Sequence, residues 1–209
     1  MKKLDLRKTY KSLYVPPAGK CALVDIPTLQ FAAINGRIEP GKMPGESDTF
    51  REALQALYGV SYTLKFISKQ RARNPIDYTV MALEALWWVT RGTYLDPKQP
   101  WKFTAMILQP DHITPRMFAE AVARVKAKRP VPALRRLRLW SFREGLCVQA
   151  MHIGPYADET RTLKMMEEFA AEQGLAYRGK HHEIYIGDPM RAEPAKLRTV
   201  LRHPVKRTR

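Results

Sequence analysis

His181-His182-Glu183-Ile184-Tyr185-Ile186-Gly187-Asp188-Pro189 is the stretch around which the rest of the chain is organised. With a period of two it is a strand, Glu183 and Tyr185 on one face, His182, Ile184 and Ile186 on the other. Gly187-Asp188-Pro189 ends it, because proline donates nothing to a ladder and glycine frees the turn. A carboxylate beside a tyrosine on one strand face, flanked by apolar residues, is what a pocket for a cationic or polarisable organic molecule needs. A solvated carboxylate on an exposed face explains these nine residues equally well.

Upstream of this strand the second half predicts a hairpin, residues 136–142 and 146–153, with Glu144-Gly145 at the turn. Gly154-Pro155 breaks the returning strand and Asp158 offers a helix cap. A helix follows over 158–173, its stripe made by Leu163, Met166, Phe169 and Ala170, then a short strand at 175–178. The first half follows the same plan: a strand at 30–36, a helix at 48–58 capped by Ser47 or Asp48 and ended by Gly59, and strands at 62–67 and 77–88. A shorter edge segment is expected at 21–26. The repeat rests on element order, since identity between the halves is slight. It predicts an α+β fold of duplicated strand–helix–strand–strand units in one antiparallel sheet, helices on one face and a ligand cleft at the pseudo-twofold axis. The organisation expected is an N-terminal arm over 1–20 and a single domain over 21–209. Within that domain, repeat one covers about 21–96, a connector 97–135, repeat two about 136–190 and a basic tail 191–209. The connector holds a loop bounded by Pro97 and Pro100, a strand at 102–108, and a helix opened by Thr114-Pro115 and stopped at Arg129-Pro130.

The 209 residues are 45% hydrophobic and 27% charged, the composition of a folded soluble protein with a sizeable core. No apolar run approaches the roughly 20 residues of a membrane helix, and no signal peptide is visible, so a cytoplasmic location is expected. Cys21 and Cys147 are far apart in apolar runs and read as free core thiols. The net charge of +16 points toward a polyanion, but the basic residues spread over both termini and the middle. No helix-turn-helix, zinc-finger or RNA-motif signature accompanies them, so a solvated basic surface explains the charge better than a nucleic-acid site. With no helix-turn-helix ahead of the domain, direct transcriptional regulation is not expected. Metal-ligand spacing, a nucleophile elbow and a glycine-rich phosphate loop are all lacking, and no cofactor or metal is expected. His152 and His182 read as hydrogen-bonded core histidines.

Four ordered segments carry a resemblance: Tyr78 to Trp88 (YTVMALEALWW), Glu144 to Glu159 (EGLCVQAMHIGPYADE), Lys180 to Pro189 (KHHEIYIGDP) and Pro194 to Val205 (PAKLRTVLRHPV). Together they resemble the stand-alone branch of the GyrI-like, gyrase-inhibitory-protein-like, small-molecule-binding family over roughly residues 20–205, and more specifically than any one segment would. The chain departs from that branch in its first loop, Asn35 to Gly41, and in Ala82 and Ala85, where proline and glycine are common. The resemblance implies a site for a small hydrophobic aromatic molecule, cationic or electrophilic, serving drug or toxin protection. Its alternative is a hydrolase opening strained cyclopropane rings of DNA-alkylating natural products with a glutamate-activated water. A gyrase- or nucleic-acid-interacting protein is the third reading. The family's key carboxylate falls on Glu183; in the hydrolase reading it is the catalytic base, with Tyr78, Tyr156 or Glu84 orienting water or polarising the substrate. Tyr185, Glu84, Trp88, Tyr78 and Tyr156 complete the expected ligand-binding set. Packing under the helices is expected of Trp87, and a structural ion pair is an equal alternative for Glu84.

Overall fold

The computed structural model describes residues 2–90, 99–187 and 192–208. The loop expected after Pro97 and the Asp188-Pro189 stop lie wholly or partly outside them. In chain order the elements are β1 (Lys2–Leu4), α1 (Leu6–Thr9), α2 (Lys11–Tyr14), β2 (Cys21–Arg37), α3 (Asp48–Gln70), β3 (Ile76–Tyr78), β4 (Leu83–Trp88), β5 (Lys102–Leu108) and α4 (Pro115–Lys128). They continue with β6 (Arg138–Ile153), α5 (Glu159–Glu172), β7 (Leu175–Tyr177), β8 (His181–Tyr185) and β9 (Arg198–Arg207). The order strand–helix–strand–strand thus occurs in both halves. Among the described residues the main sheet has seven strands in the order β6-β2-β5-β4-β8-β9-β7, with a further pairing of β6 with β9. The fold is mixed, with helices on an antiparallel sheet.

The chain divides into two compact units, and β2, β4 and β6 contribute residues to both. In the first unit α3 buries Phe50, Ala53, Leu57, Val60, Leu64 and Ile67. Ser47 caps it, its Oγ accepting from Phe50 N at 3.1 Å. Trp87 is buried in this unit against Phe50, Trp101 and Phe103, the packing role expected of it. The strand predicted at 62–67 is helical instead, and Gly59 does not end α3. Leu57, Val60, Leu64 and Ile67 continue the helix's buried stripe, and the three- and four-residue spacing outweighs the local alternation of Tyr62 to Ile67. Thr114 caps α4 as expected, its hydroxyl accepting from Met117 N at 3.2 Å, with Pro115 first in the helix.

Gly36 pairs with Phe103 across the β2–β5 ladder, and a Cβ there would lie 2.2 Å from the ring's Cζ. Gly36→Ala must therefore displace a fully buried ring, an overpacking that costs about 1–3 kcal/mol. Urea unfolding should show a lower midpoint with an unchanged slope.

The second unit has its apolar core in Val148, Ala150, Met166, Ala170, Leu175, Leu201 and Val205, where α5 packs on β6, β7 and β9. The segment expected as a basic tail supplies β9, which pairs with β6, β7 and β8. The expected arm is likewise packed, with Tyr14 1% exposed. The predicted hairpin is one continuous strand, β6. Gly145 takes φ +77° within it, a kink that glycine absorbs without reversing the chain. Glu144, expected at a solvated turn, is buried, and Asp158 occupies the cap position of α5 without a side-chain capping bond. The long strand expected over 77–88 divides into β3 and β4. No helix among the described residues is long and apolar enough to cross a membrane.

Candidate functional site

β8 alternates as its sequence requires, and its two faces do different work. Toward one face His182 lies opposite Arg202 on β9, and Arg202 lies opposite Gln149 on β6. His182 Nδ1 is 2.9 Å from Glu144 Oε2 and its Nε2 is 3.1 Å from Glu84 Oε2. Tyr14 donates to the other Glu84 oxygen. Arg202 donates to Gln149 Oε1 at 3.1 Å and to the Leu13 carbonyl at 2.7 Å, and its Nη1 lies 3.4 Å from Glu144 Oε2. Two carboxylates and two cations thus balance in a buried cluster. Burial alone would raise Glu144, but His182 and then Arg202 outweigh it and hold its carboxyl at about 2. Burial opposes protonation of His182, yet Glu144 and Glu84 raise it above the usual imidazole value, so it is the imidazolium that donates from both nitrogens. Both Glu84 oxygens are engaged, the structural arrangement weighed for it from the sequence.

On the other face Glu183 and Tyr185 come together as the alternation requires: the Tyr185 hydroxyl donates to Glu183 Oε2 at 2.6 Å. The Tyr156 ring meets Tyr185 edge-on at 5.8 Å and is 40% exposed, a position at the rim. Glu183 keeps 11% of its side chain open. Its second oxygen, Oε1, is 3.3 Å from His181 Nε2. Glu159, the first residue of α5, completes the group: one donor atom each of Glu159, His181 and Glu183 lies within 4.8 Å of the others. Burial first, and the Glu183 charge second, push the Glu159 carboxyl well above the ordinary range, so it is neutral near pH 7. Burial, then Glu183 and Glu159, also push the Tyr156 phenol up to about 12. His152 fastens this corner. Its Nε2 donates to the Pro155 carbonyl at 3.0 Å and its Nδ1 is 3.0 Å from Thr162 Oγ1, which fixes the turn carrying Tyr156 to the start of α5.

Tyr78 and Trp88 belong to the first unit. Tyr78 is buried there, its hydroxyl donating to Gln109 Oε1 at 3.3 Å and its ring edge-on to His112. Trp88 is half-buried. Two cavities of about 140 and 280 Å³ in the same unit include none of the predicted site residues in their lining. The sequence reading missed Glu159 and His181. His181 shares strand parity with Glu183, a signal that was present; Glu159 is brought in by the turn, which no local pattern announces.

Glu183 with Tyr185, Tyr156, Glu159 and His181 lies within residues 65–206, which match the family model described as the GyrI-like small molecule binding domain. The chain belongs to the GyrI-like family. Solved relatives agree along the whole length. An uncharacterised conserved protein from Listeria innocua is 32% identical with a TM-score of 0.87, covering 97% of this chain and 100% of its own. A Listeria innocua protein described as a hydrolase is 32% identical with a TM-score of 0.86, covering 98% and 100%. No curated protein matched the GyrI-like chain.

A buried carboxyl held above its ordinary range beside a second carboxyl group is a stability cost of the kind functional sites carry. The sign follows from Glu159. A carboxyl held above its unfolded value of about 4.3 favours the native state only at low pH, and that favour is lost as pH rises past it. Glu159→Gln removes the loss. Its melting temperature should exceed that of the unaltered chain at pH 8, with a gap that narrows toward pH 4, followed by calorimetry across that range.

Proposed function

We propose that this GyrI-like chain hydrolyses a small aromatic electrophile, with Glu183 as the general base. The supporting observation is the pair Glu183 and Glu159: two carboxyl groups in one partly buried corner, one of them neutral. A base and an acid side by side are what adding water across a strained ring needs. Glu183 takes a proton from water as the water oxygen bonds to a ring carbon. The breaking carbon–carbon bond sends its electron pair toward a conjugated acceptor on the substrate, and neutral Glu159 supplies the proton that acceptor takes up. Tyr185 orients the Glu183 carboxylate through Oε2, and Tyr156 offers an aromatic face to the substrate. Glu84 acts only by holding His182, and so the strand, in place; Tyr78, committed to Gln109, has no step assigned. Relatives described as hydrolases at 32% identity and full coverage support the reaction class. The substrate class proposed is a cyclopropane-bearing, DNA-alkylating type of aromatic molecule, and the biological role is protection from it.

A second reading is binding without turnover, favoured by the partly open tyrosines and the buried charge, which would draw an aromatic cation by cation–π and ionic attraction. The test is incubation with a cyclopropane-bearing aromatic electrophile, followed by mass spectrometry. A water-added product that disappears in Glu183→Gln supports hydrolysis. Saturable retention of the unchanged compound supports the second reading and rejects the first.

A further inference from the structure

Glu159 Oε1 is buried and meets no hydrogen-bond donor, on a residue only 8% exposed. A buried carboxyl oxygen without a hydrogen-bond partner is a polar atom that a ligand can satisfy. The adjoining atoms are two further metal-ligand types, an imidazole nitrogen and a carboxylate oxygen, with all three residues' donor atoms within 4.8 Å. We propose that Glu159, His181 and Glu183 bind a borderline divalent transition-metal ion, of which Zn²⁺ fits best.

Four features carry this. The separation of His181 Nε2 and Glu183 Oε1, 3.3 Å, is the edge of a tetrahedron whose centre is about 2.0–2.1 Å from each, the usual zinc distance to nitrogen and oxygen. Tyr185 holds Glu183 Oε2 and leaves Oε1 turned toward His181, and the tyrosine is the outer hydrogen bond that ligating carboxylates commonly keep. The ligands come from rigid elements: His181 and Glu183 two apart on β8, Glu159 at the head of α5. An imidazole beside two carboxylates selects Zn²⁺ over Mg²⁺ and Ca²⁺, which prefer all-oxygen shells. Three protein ligands leave a fourth position for water. A bound ion occupies both the proposed base and the proposed acid. It therefore acts as an inhibitor of the hydrolysis proposed above, while its binding is independent of whether that reaction occurs.

The experiment is calorimetric titration of the untagged, chelator-stripped full chain with zinc chloride, alongside thermal melting. The expected result is one Zn²⁺ per chain, a melting temperature that climbs with zinc, and no response to magnesium at the same concentration. Glu159→Gln, which keeps shape, and His181→Ala should each weaken binding at least about 10-fold. Absence of saturable zinc binding overturns the proposal, as does zinc binding of unchanged affinity in both variants. Because the readouts are heat and melting, failure of hydrolysis leaves this result untouched, and failure of zinc binding leaves hydrolysis untouched.

Discussion

Glu183→Gln is expected to lower kcat/KM for hydrolysis of a cyclopropane-bearing aromatic electrophile by about 10²–10⁴-fold, the usual share of a positioned general base. Glutamine has the same length, and its carbonyl can still accept the 2.6 Å bond from Tyr185, so the strand and its tyrosine stay in place. What disappears is the ability to take a proton from water. Thermal melting should move little, and upward if at all, because the variant also removes the charge that opposes ionisation of Glu159. A fall in kcat with KM nearly constant marks an interaction made only in the transition state; a rise in KM alone would mark a ligand anchor.

The second large effect is on stability. His182→Leu leaves Glu84 and Glu144 buried without the imidazolium between them, with Tyr14 still donating to the first and the longer Arg202 contact still facing the second. Breaking a buried charge cluster by removing one partner costs about 3–5 kcal/mol. That is a large part of the roughly 5–15 kcal/mol that holds an ordinary domain folded. Urea unfolding at pH 7 should register it as a strongly lowered midpoint. The same cluster sets an acid limb. Glu144 is depressed to about 2, so its contribution is present above the unfolded value of about 4.3 and is lost as pH falls through about 2. The acid-induced loss of stability should be shallower in Glu144→Gln.

Much of this was legible in the residues, and the failures have physical reasons. The alternation of His181 to Tyr185 placed Glu183 beside Tyr185 and turned His182 away, because side-chain direction in a strand follows from parity alone. Thr114-Pro115 and Ser47 announced their helix starts through local chemistry. Gly59 and Tyr62 to Ile67 misled because a glycine and a short alternation are weak local signals. The helix there is fixed by packing of α3 on α4 and β5, which local sequence does not display. Glu144-Gly145 misled for the opposite reason: a turn-like pair became strand interior once His182 and Arg202 supplied partners from distant parts of the chain. Glu84's commitment to Tyr14, 70 residues away, is of the same kind. Such contacts are long-range, and a carboxylate in a sequence carries no mark of which cation will meet it.

The measurement that bears most directly on the central claim is turnover in oxygen-18-labelled water, followed by mass spectrometry of the product. The account predicts one labelled oxygen incorporated per molecule by the unaltered chain, and a rate reduced about 10²–10⁴-fold in Glu183→Gln. Recovery of the compound unchanged, or label incorporated at equal rates by both proteins, would contradict it.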